Sequence, residues 1–534
     1  MIINKSSTTP LDLTEPPTAQ PLPPQHGPAA RSLSSRAITS AGWVLAWRVI
    51  VRLIGFFSTL ILARQLTPAD FGLVALGLSF STGLDAFSYF GVQDALIREK
   101  FISKKMYDTA ATLNLARGII TAGLIGAIAY PASVYLDEPR LVPVIGALGL
   151  GVLVSTFESM GLLDFRRNLN FRAEFVLTIV PRFAGNICVI AIAMIWHSYW
   201  ALIVGTLVLR SSRSVLSYFM HPYRPAFSLE SWRLIAGFSF WTWAMGVAVL
   251  VRDRSDSIIV GRLLGTAEVG FFSLASEVAT LPTSELVEPL THVLFPSFSA
   301  VRHQGGDVGE PYMRAIALAF MATVPAGLGV SLVAQPLVLL LLGPTWILAV
   351  PLVQIIAFAG ILKVITAIST TAFRADGIPK TTFVVTCVAA CLRIGLVVLL
   401  TVRFGLVGAA VGTVIAVTLE EIAFLVVGFQ RYGITSLDLL RNTWRILLAS
   451  AAMALVLYAT GLGWSEISPD IGSILLRLLA ACLLGAATYC AVLAASWLAV
   501  GMPSGAESYA LGIIVPALNR AAARLGLVRI TRRS

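Results

Sequence analysis

Charge is scarce in this sequence: only 13% of its 534 residues are Asp, Glu, Lys or Arg, about half the fraction of an ordinary soluble domain. With 57% hydrophobic residues and a mean hydropathy of +0.83, that shortage excludes a soluble globular protein, a coiled coil and a disordered chain. Cysteine is nearly absent too. Cys188, Cys387, Cys391, Cys482 and Cys490 all lie inside apolar runs, an odd set with neither a disulfide framework nor a zinc spacing. The five histidines are scattered, so no metal site is expected. There is no GxxxxGK[ST], HExxH or GxSxG motif, which leaves no ATPase or hydrolase chemistry and no cofactor to predict. No loop is long enough for a further domain, which excludes a channel with a large sensor or an enzyme with a catalytic module. Residues 1–40 (including PPTAQPLPPQHGP) lack the apolar core of a signal peptide and read as a disordered cytoplasmic tail.

What is abundant is apolar sequence in runs of about 20 residues, the length of a membrane-crossing helix. Such runs occupy 43–63, 70–92, 109–131, 141–163, 174–196, 199–219, 236–262, 268–292, 313–335, 346–371, 381–402, 405–428, 444–463 and 476–500. The fold expected is an all-α integral membrane protein with about fourteen transmembrane helices. Its net charge of +11 then reads as loops beside anionic lipid before it reads as a nucleic-acid partner, and nothing here resembles a nucleic-acid reader. With the N-terminal tail inside, the inner loops gather Arg98, Lys100, Lys104, Lys105, Arg166, Arg167, Arg172, Arg213, Arg224, Arg302, Arg374, Lys380 and Arg431, while the outer loops hold only Arg64, Arg140, Arg262 and Arg403. That bias places both termini in the cytoplasm. Residues 504–534 alternate apolar side chains with arginines and read as a basic amphipathic helix on the inner surface, or as a simple charged stop.

The chain also repeats itself. ILARQLTPADFG (61–72) matches IVGRLLGTAEVG (259–270) at Arg64, Leu66, Ala69, Asp70 and Gly72, an offset of 198. Thr67, Pro68 and Asp70 read as the N-cap, first and third positions of a helix, a capping box. The arginine reads as a local partner of the preceding helix dipole. Phe165-Arg166 and Phe373-Arg374 echo each other at 208, and Gly205-Thr206 and Gly412-Thr413 at 207. Six crossings return a chain to its starting side. The repeat therefore predicts two parallel lobes, 41–235 and 236–430, followed by two extra helices over 431–503, an arrangement suited to alternating access.

A charge near the membrane midplane costs several kcal/mol, so it faces a cavity or a partner. Counted from the helix ends at 1.5 Å per residue, Arg52, Arg182, Arg252, Lys363 and Arg393 lie roughly 15–20 Å deep, with Arg48 one turn from Arg52. A ring of cations from both lobes is what an anionic substrate needs, and arginine can grip phosphate oxygens with paired donors. The competing reading is ion pairing: Arg252 with Asp256 on one helix, Glu158 with Lys363 between lobes, with Glu158 or Asp256 alternatively coupling transport to a proton or cation. Phe238, Phe240, Trp241 and Trp243 read as interfacial anchors or as part of a lipid or sugar path.

ILARQLTPADFGLVALGLSFS, FGVQDALIRE, SDSIIVGRLLGTAEVGFFSLASEVATLP, LFPSFSAVR and FRADGIPK resemble the Wzx-type polysaccharide flippases of the multidrug/oligosaccharidyl-lipid/polysaccharide exporter superfamily, over roughly residues 36–500. The resemblance implies fourteen helices, two six-helix lobes and alternating access. It further implies a bacterial inner-membrane transporter, not an enzyme, whose substrate is an undecaprenyl-diphosphate-linked oligosaccharide for exopolysaccharide, capsule or O-antigen assembly. Membrane lipids and the polysaccharide polymerase and export machinery would be its partners. Arg48, Arg52, Arg182, Arg252, Lys363 and Arg393 are the positions that could bind the anionic headgroup. The alternative within the superfamily is a multidrug or organic-cation exporter, which would want an acidic, aromatic cavity. A membrane glycosyltransferase, ligase or polymerase would need a large outer loop or paired carboxylates there, and neither is seen.

Overall fold

The computed structural model describes residues 51–88 except 53, 96, 103–167, 170–232, 240–464, 471–503, 505–509 and 512. The predicted tail over 1–40, Arg48, and most of the basic segment over 504–534 lie outside the described residues. Within them the fold is helical, with no strand.

A helix ending at residue 65 (α1, described from 51) leads to α2 (Pro68–Phe87), α3 (Lys104–Tyr135), α4 (Leu141–Thr156), α5 (Phe171–Trp196) and α6 (Trp200–Met220). Then come α7 (Phe240–Leu263), α8 (Thr266–His303), α9 (Gly309–Leu332), α10 (Val350–Leu362), α11 (Val364–Ala375), α12 (Pro379–Tyr432), α13 (Ser436–Ala459) and α14 (Ile471–Ala499). Seven helical stretches among the described residues are long and apolar enough to cross a membrane, counting 344–375 and 379–432 each as one.

Two predicted spans prove to be broken. Residues 141–163 divide into α4 and a short turn-and-helix over 160–167, and residues 346–371 divide into α10 and α11 at Lys363. Conversely, 381–402 and 405–428 form one element by hydrogen bonding but reverse direction at Gly405, whose φ of 61° suits only glycine without strain. Beyond that turn Gly408 lies against the Leu400 carbonyl, so the two halves of α12 run antiparallel in close contact.

The predicted capping box is present: the Asp70 N–H donates to Thr67 Oγ1 (3.3 Å) and the Thr67 N–H to Asp70 Oδ2 (3.0 Å), with Pro68 in the first turn. A second box closes Thr435 on Asp438 at the start of α13. The N-terminal and C-terminal halves meet where α2 packs on α7 and α8. There the repeat becomes geometry. A Cβ added to Gly72 would run into the Thr266 carbonyl, and one added to Gly270 into the Pro68 carbonyl; the two glycines are 198 residues apart, and so are the two residues whose carbonyls they meet. Only glycine permits two helix backbones to come that close.

The repeat arginines also act across this junction and not on their own turn as expected. Arg64 donates to the Leu340 carbonyl at 2.8 Å, and Arg262 lies over the Tyr135 ring at 5.5 Å. Buried Trp346 donates to the Ala63 carbonyl at 2.8 Å. This end of the molecule, predicted to face outward, is closed by reciprocal contacts between its two halves. Outside them, α13 and α14 pair with each other and α13 packs on α9 around Leu332, Met453 and Leu457.

Candidate functional site

The midplane charges fall into two groups. The first is built on α7, where four ionisable residues follow one another from Arg252 to Asp256, with Ser255 between, so that the helix turns them to different sides. Asp256 faces α12 and is gripped at two points by Arg393 (Nε to Oδ1 3.0 Å, Nη2 to Oδ2 2.5 Å), with the Thr413 hydroxyl donating at 3.1 Å. Both members of this pair are buried. Arg252 turns to the other half of α12, donating to Glu420 at 2.5 Å, and also meets Asp253 at 2.9 Å. The expected Arg252–Asp256 pairing is thus not made: the folded-back α12 offers each its own partner, Glu420 for Arg252 and the two-point grip of Arg393 for Asp256.

Lys363 sits at the break between α10 and α11. Its side chain is exposed and within electrostatic reach of Asp253, Asp256, Arg252 and Arg393, yet it makes no ion pair among the described residues. The break has a cause that the sequence did not signal. Buried Glu421 accepts from both the N–H (2.7 Å) and the hydroxyl (2.8 Å) of Thr366, satisfying a donor in the first turn of α11 that no helical carbonyl can reach. The break after α4 is braced similarly, the Ser159 N–H donating to Ser217 Oγ on α6 at 3.0 Å. Ser159 and Thr366 are 207 residues apart, the offset already seen for Gly205 and Gly412.

The second group lines a cavity of about 470 Å³ between α1, α5 and α8, walled by Arg52, Arg182, Glu277 and Glu285 among others. Arg52 pairs with Glu285 at 3.0 Å. Arg182 is exposed to the cavity, has no carboxylate partner among the described residues, and lies within electrostatic reach of Arg52 and Arg213. Arg213, counted from sequence with an inner loop, instead lies within α6 and takes Glu158 at 3.0 Å. The expected Glu158–Lys363 bridge is therefore absent.

The single ring of six cations imagined from sequence is thus divided. Arg252 and Arg393 are committed to carboxylates, Lys363 is close to them, and Arg52 and Arg182 belong to a different cavity. Arg117, which neutralises Asp85 at 2.9 Å, Arg213 and Glu285 were missed as members of the charge network. Their spacing from one another in sequence carries no signal, because each pair joins two helices. Of the aromatic cluster, Trp243 donates to the Phe87 carbonyl at 2.5 Å and meets the Phe87 ring edge-on, a contact between the two halves. The side chains of Phe238, Phe240 and Trp241 lie outside the described residues.

Comparison with known proteins gives the family and the fold. The model of a family described as polysaccharide biosynthesis protein matches residues 61–351. The lipopolysaccharide biosynthesis protein WzxC of Escherichia coli K12 is 27% identical over 336 residues, 62% of this chain and 68% of WzxC. The succinoglycan biosynthesis transport protein ExoT of Rhizobium meliloti is 24% identical over 335 residues, again 62% of this chain and 68% of its own length. In fold, the chain resembles the lipid II flippase MurJ in an inward closed conformation, with a TM-score of 0.68 at 14% identity, over 85% of this chain and 98% of MurJ.

Proposed function

Because the chain belongs to the polysaccharide biosynthesis protein family of membrane transporters, we propose that it moves an oligosaccharide linked through diphosphate to a polyprenol across the bacterial inner membrane, by alternating access, for exopolysaccharide, capsule or O-antigen assembly. The observation that carries this reading is Arg182. Among the described residues it makes no ion pair, and it lines a polar cavity within electrostatic reach of Arg52 and Arg213, whose own charges are answered by Glu285 and Glu158. An unanswered guanidinium at that depth has its charge met by an anionic cargo such as diphosphate or an acidic sugar. The balanced charges around α7 then act mainly as structure, and the carboxylates of both groups orient the arginines. Glu277 in the same wall also makes no ion pair among the described residues, so the cavity offers one such charge of each sign, and membership of the polysaccharide biosynthesis family favours the anionic cargo over an organic cation.

Deleting the gene should abolish surface polysaccharide and leave lipid-linked oligosaccharide on the cytoplasmic face. Arg182→Ala should reproduce the loss at unchanged protein level, with part of the export restored by Arg182→Lys. Normal polysaccharide in the deletion strain, together with raised drug sensitivity, would overturn the proposal in favour of drug export.

A further inference from the structure

The polar cavity has a counterpart related by the repeat. Shifting its α8 residues Glu277, Leu281 and Glu285 back by 198 gives Ser79, Gly83 and Phe87 on α2. Shifting Arg52 and Phe56 forward by 198 gives Leu250 and Arg254 on α7. These five residues line a second cleft of about 430 Å³, on the other side of the α2–α8 contact, to which α12 adds Ile394 as α5 adds Arg182 to the first. The two clefts match in position and size but differ in chemistry. Where the first carries Arg52, Glu277 and Glu285, the second carries Leu250, Ser79 and Phe87, and its walls are almost wholly apolar.

Arg254 is the exception. It is exposed, has no ion pair or hydrogen bond among the described residues, and sits in a wall otherwise made of residues such as Phe80, Leu84 and Ile258. Eight residues separate it from Arg262 at the closed end, about 12 Å along the helix and so well inside a hydrocarbon core roughly 30 Å thick. An isolated guanidinium there is costly unless an anion reaches it. The phosphates of bilayer lipids stay at the interface. A phosphate arrives at the depth of Arg254 only on a lipid whose headgroup is being carried through the core.

We propose that this α2–α7 cleft holds the polyprenyl chain of the transported lipid, with Arg254 pairing with the phosphate next to that chain. The proposal rests on the lipid-linked reading of the cargo given above. The cleft is bounded for such a guest: the Gly72–Gly270 crossing closes it toward one end, and the Trp243–Phe87 contact toward the other. An isoprenoid chain lying in it stays in contact with the bilayer while the polar headgroup moves between the lobes. Segregation by chemistry explains why one cleft of a repeated pair lost its charges and the other kept them.

Gly83 supplies the test. A Cβ there meets only the Leu250 side chain, at 3.7 Å, so a large residue can be introduced without moving backbone and will occupy the cleft. The protein carrying a photoactivatable benzoylphenylalanine at Leu84 is placed in nanodiscs of phosphatidylethanolamine and phosphatidylglycerol, with undecaprenyl diphosphate as the probe. Illumination should attach undecaprenyl diphosphate in preference to phospholipid. Loss of a charge-assisted pair predicts about ten- to a hundredfold weaker labelling in Arg254→Ala, with Arg254→Lys intermediate. Gly83→Phe should abolish labelling and export at normal protein level. Gly123→Phe, at a glycine with open space around it on α3, controls for bulk alone. Attachment of phospholipid only, or labelling that Arg254→Ala and Gly83→Phe leave unchanged, overturns the proposal. If the deletion strain lacks polysaccharide while both variants export normally, the flippase reading stands and the cleft assignment falls. If the deletion strain is normal, both fall.

Discussion

At the scale of single residues, what separates a structural charge from a working one is whether another side chain answers it. Arg393 and Asp256 are each nearly inaccessible and joined by two short bonds, with Thr413 completing the acceptor's shell. Removing one member leaves the other buried and uncompensated, at a cost of about 3–5 kcal/mol. Asp256→Ala should therefore lower the midpoint of thermal unfolding of the purified protein sharply. Asp256→Ala combined with Arg393→Leu should recover most of that loss, because no bare charge remains. If the double variant is as unstable as the sum of the single ones, the pair is not the source of the effect. Arg182 should behave oppositely, with export lost and unfolding unmoved, since it leaves no partner exposed. Arg252 is intermediate in kind: its Glu420 partner is buried, so loss of export in Arg252→Ala reports folding before it reports binding.

At the scale of elements, the helices broken near the middle of the bundle set the geometry. No proline lies near Lys363, although Gly360 stands one turn before it, and from outside the interruption between α10 and α11 is braced by Glu421 reaching from α12 to the Thr366 N–H and hydroxyl. Glu421→Leu strands both donors and should cost about 1–3 kcal/mol for each buried group left unpaired. Glu421→Gln keeps an acceptor and should lose less. Amide hydrogen exchange over 363–368 reads the difference directly, and protection unchanged in Glu421→Leu would show that the break needs no brace. The position of Lys363 among the α7 charges depends on the same brace, so its contribution to transport should fall with protection in this series.

At the scale of the whole molecule, the two halves are fastened at one end by contacts that obey the repeat. Arg64 reaches Leu340 from the N-terminal half, and Arg262 reaches Tyr135 from the C-terminal half. Together they contribute about 2 kcal/mol, so Arg64→Ala with Arg262→Ala should shift the closed-to-open ratio about thirtyfold. Spin labels at Ala69 and Ala267 would report this as a longer distance component. An unchanged distribution would mean that the glycine crossing and the Trp346–Ala63 hydrogen bond keep this end closed without the arginines. At the opposite extremity of the chain, buried Arg445 takes Glu507 in a two-point pair at 2.7 and 3.0 Å, tying the residues after α14 to α13. That tie lies at the start of the segment read from sequence as a surface helix.

Much of this was legible in the sequence because it rests on local or one-dimensional signals. Apolar run length located the helices, the Thr67–Asp70 spacing specified a cap, and an offset of 198 gave the repeat before any contact was known. Depth could be counted, so Arg52, Arg182, Arg252, Lys363 and Arg393 are expected as intramembrane charges. Which charge answers which could not be counted. A pairing energy depends on distances of a few ångströms between different helices, and sequence separation is silent on those: Arg252 and Glu420 are 168 residues apart, Arg393 and Asp256 137. Only the folding back of α12, the break at Lys363 and the crossing of α2 with α8 brought the partners together. Those tertiary events left Arg182 and Arg254 without an ion pair among the described residues, and divided a single imagined ring into the ion pairs around α7 and the polar cavity between α1, α5 and α8.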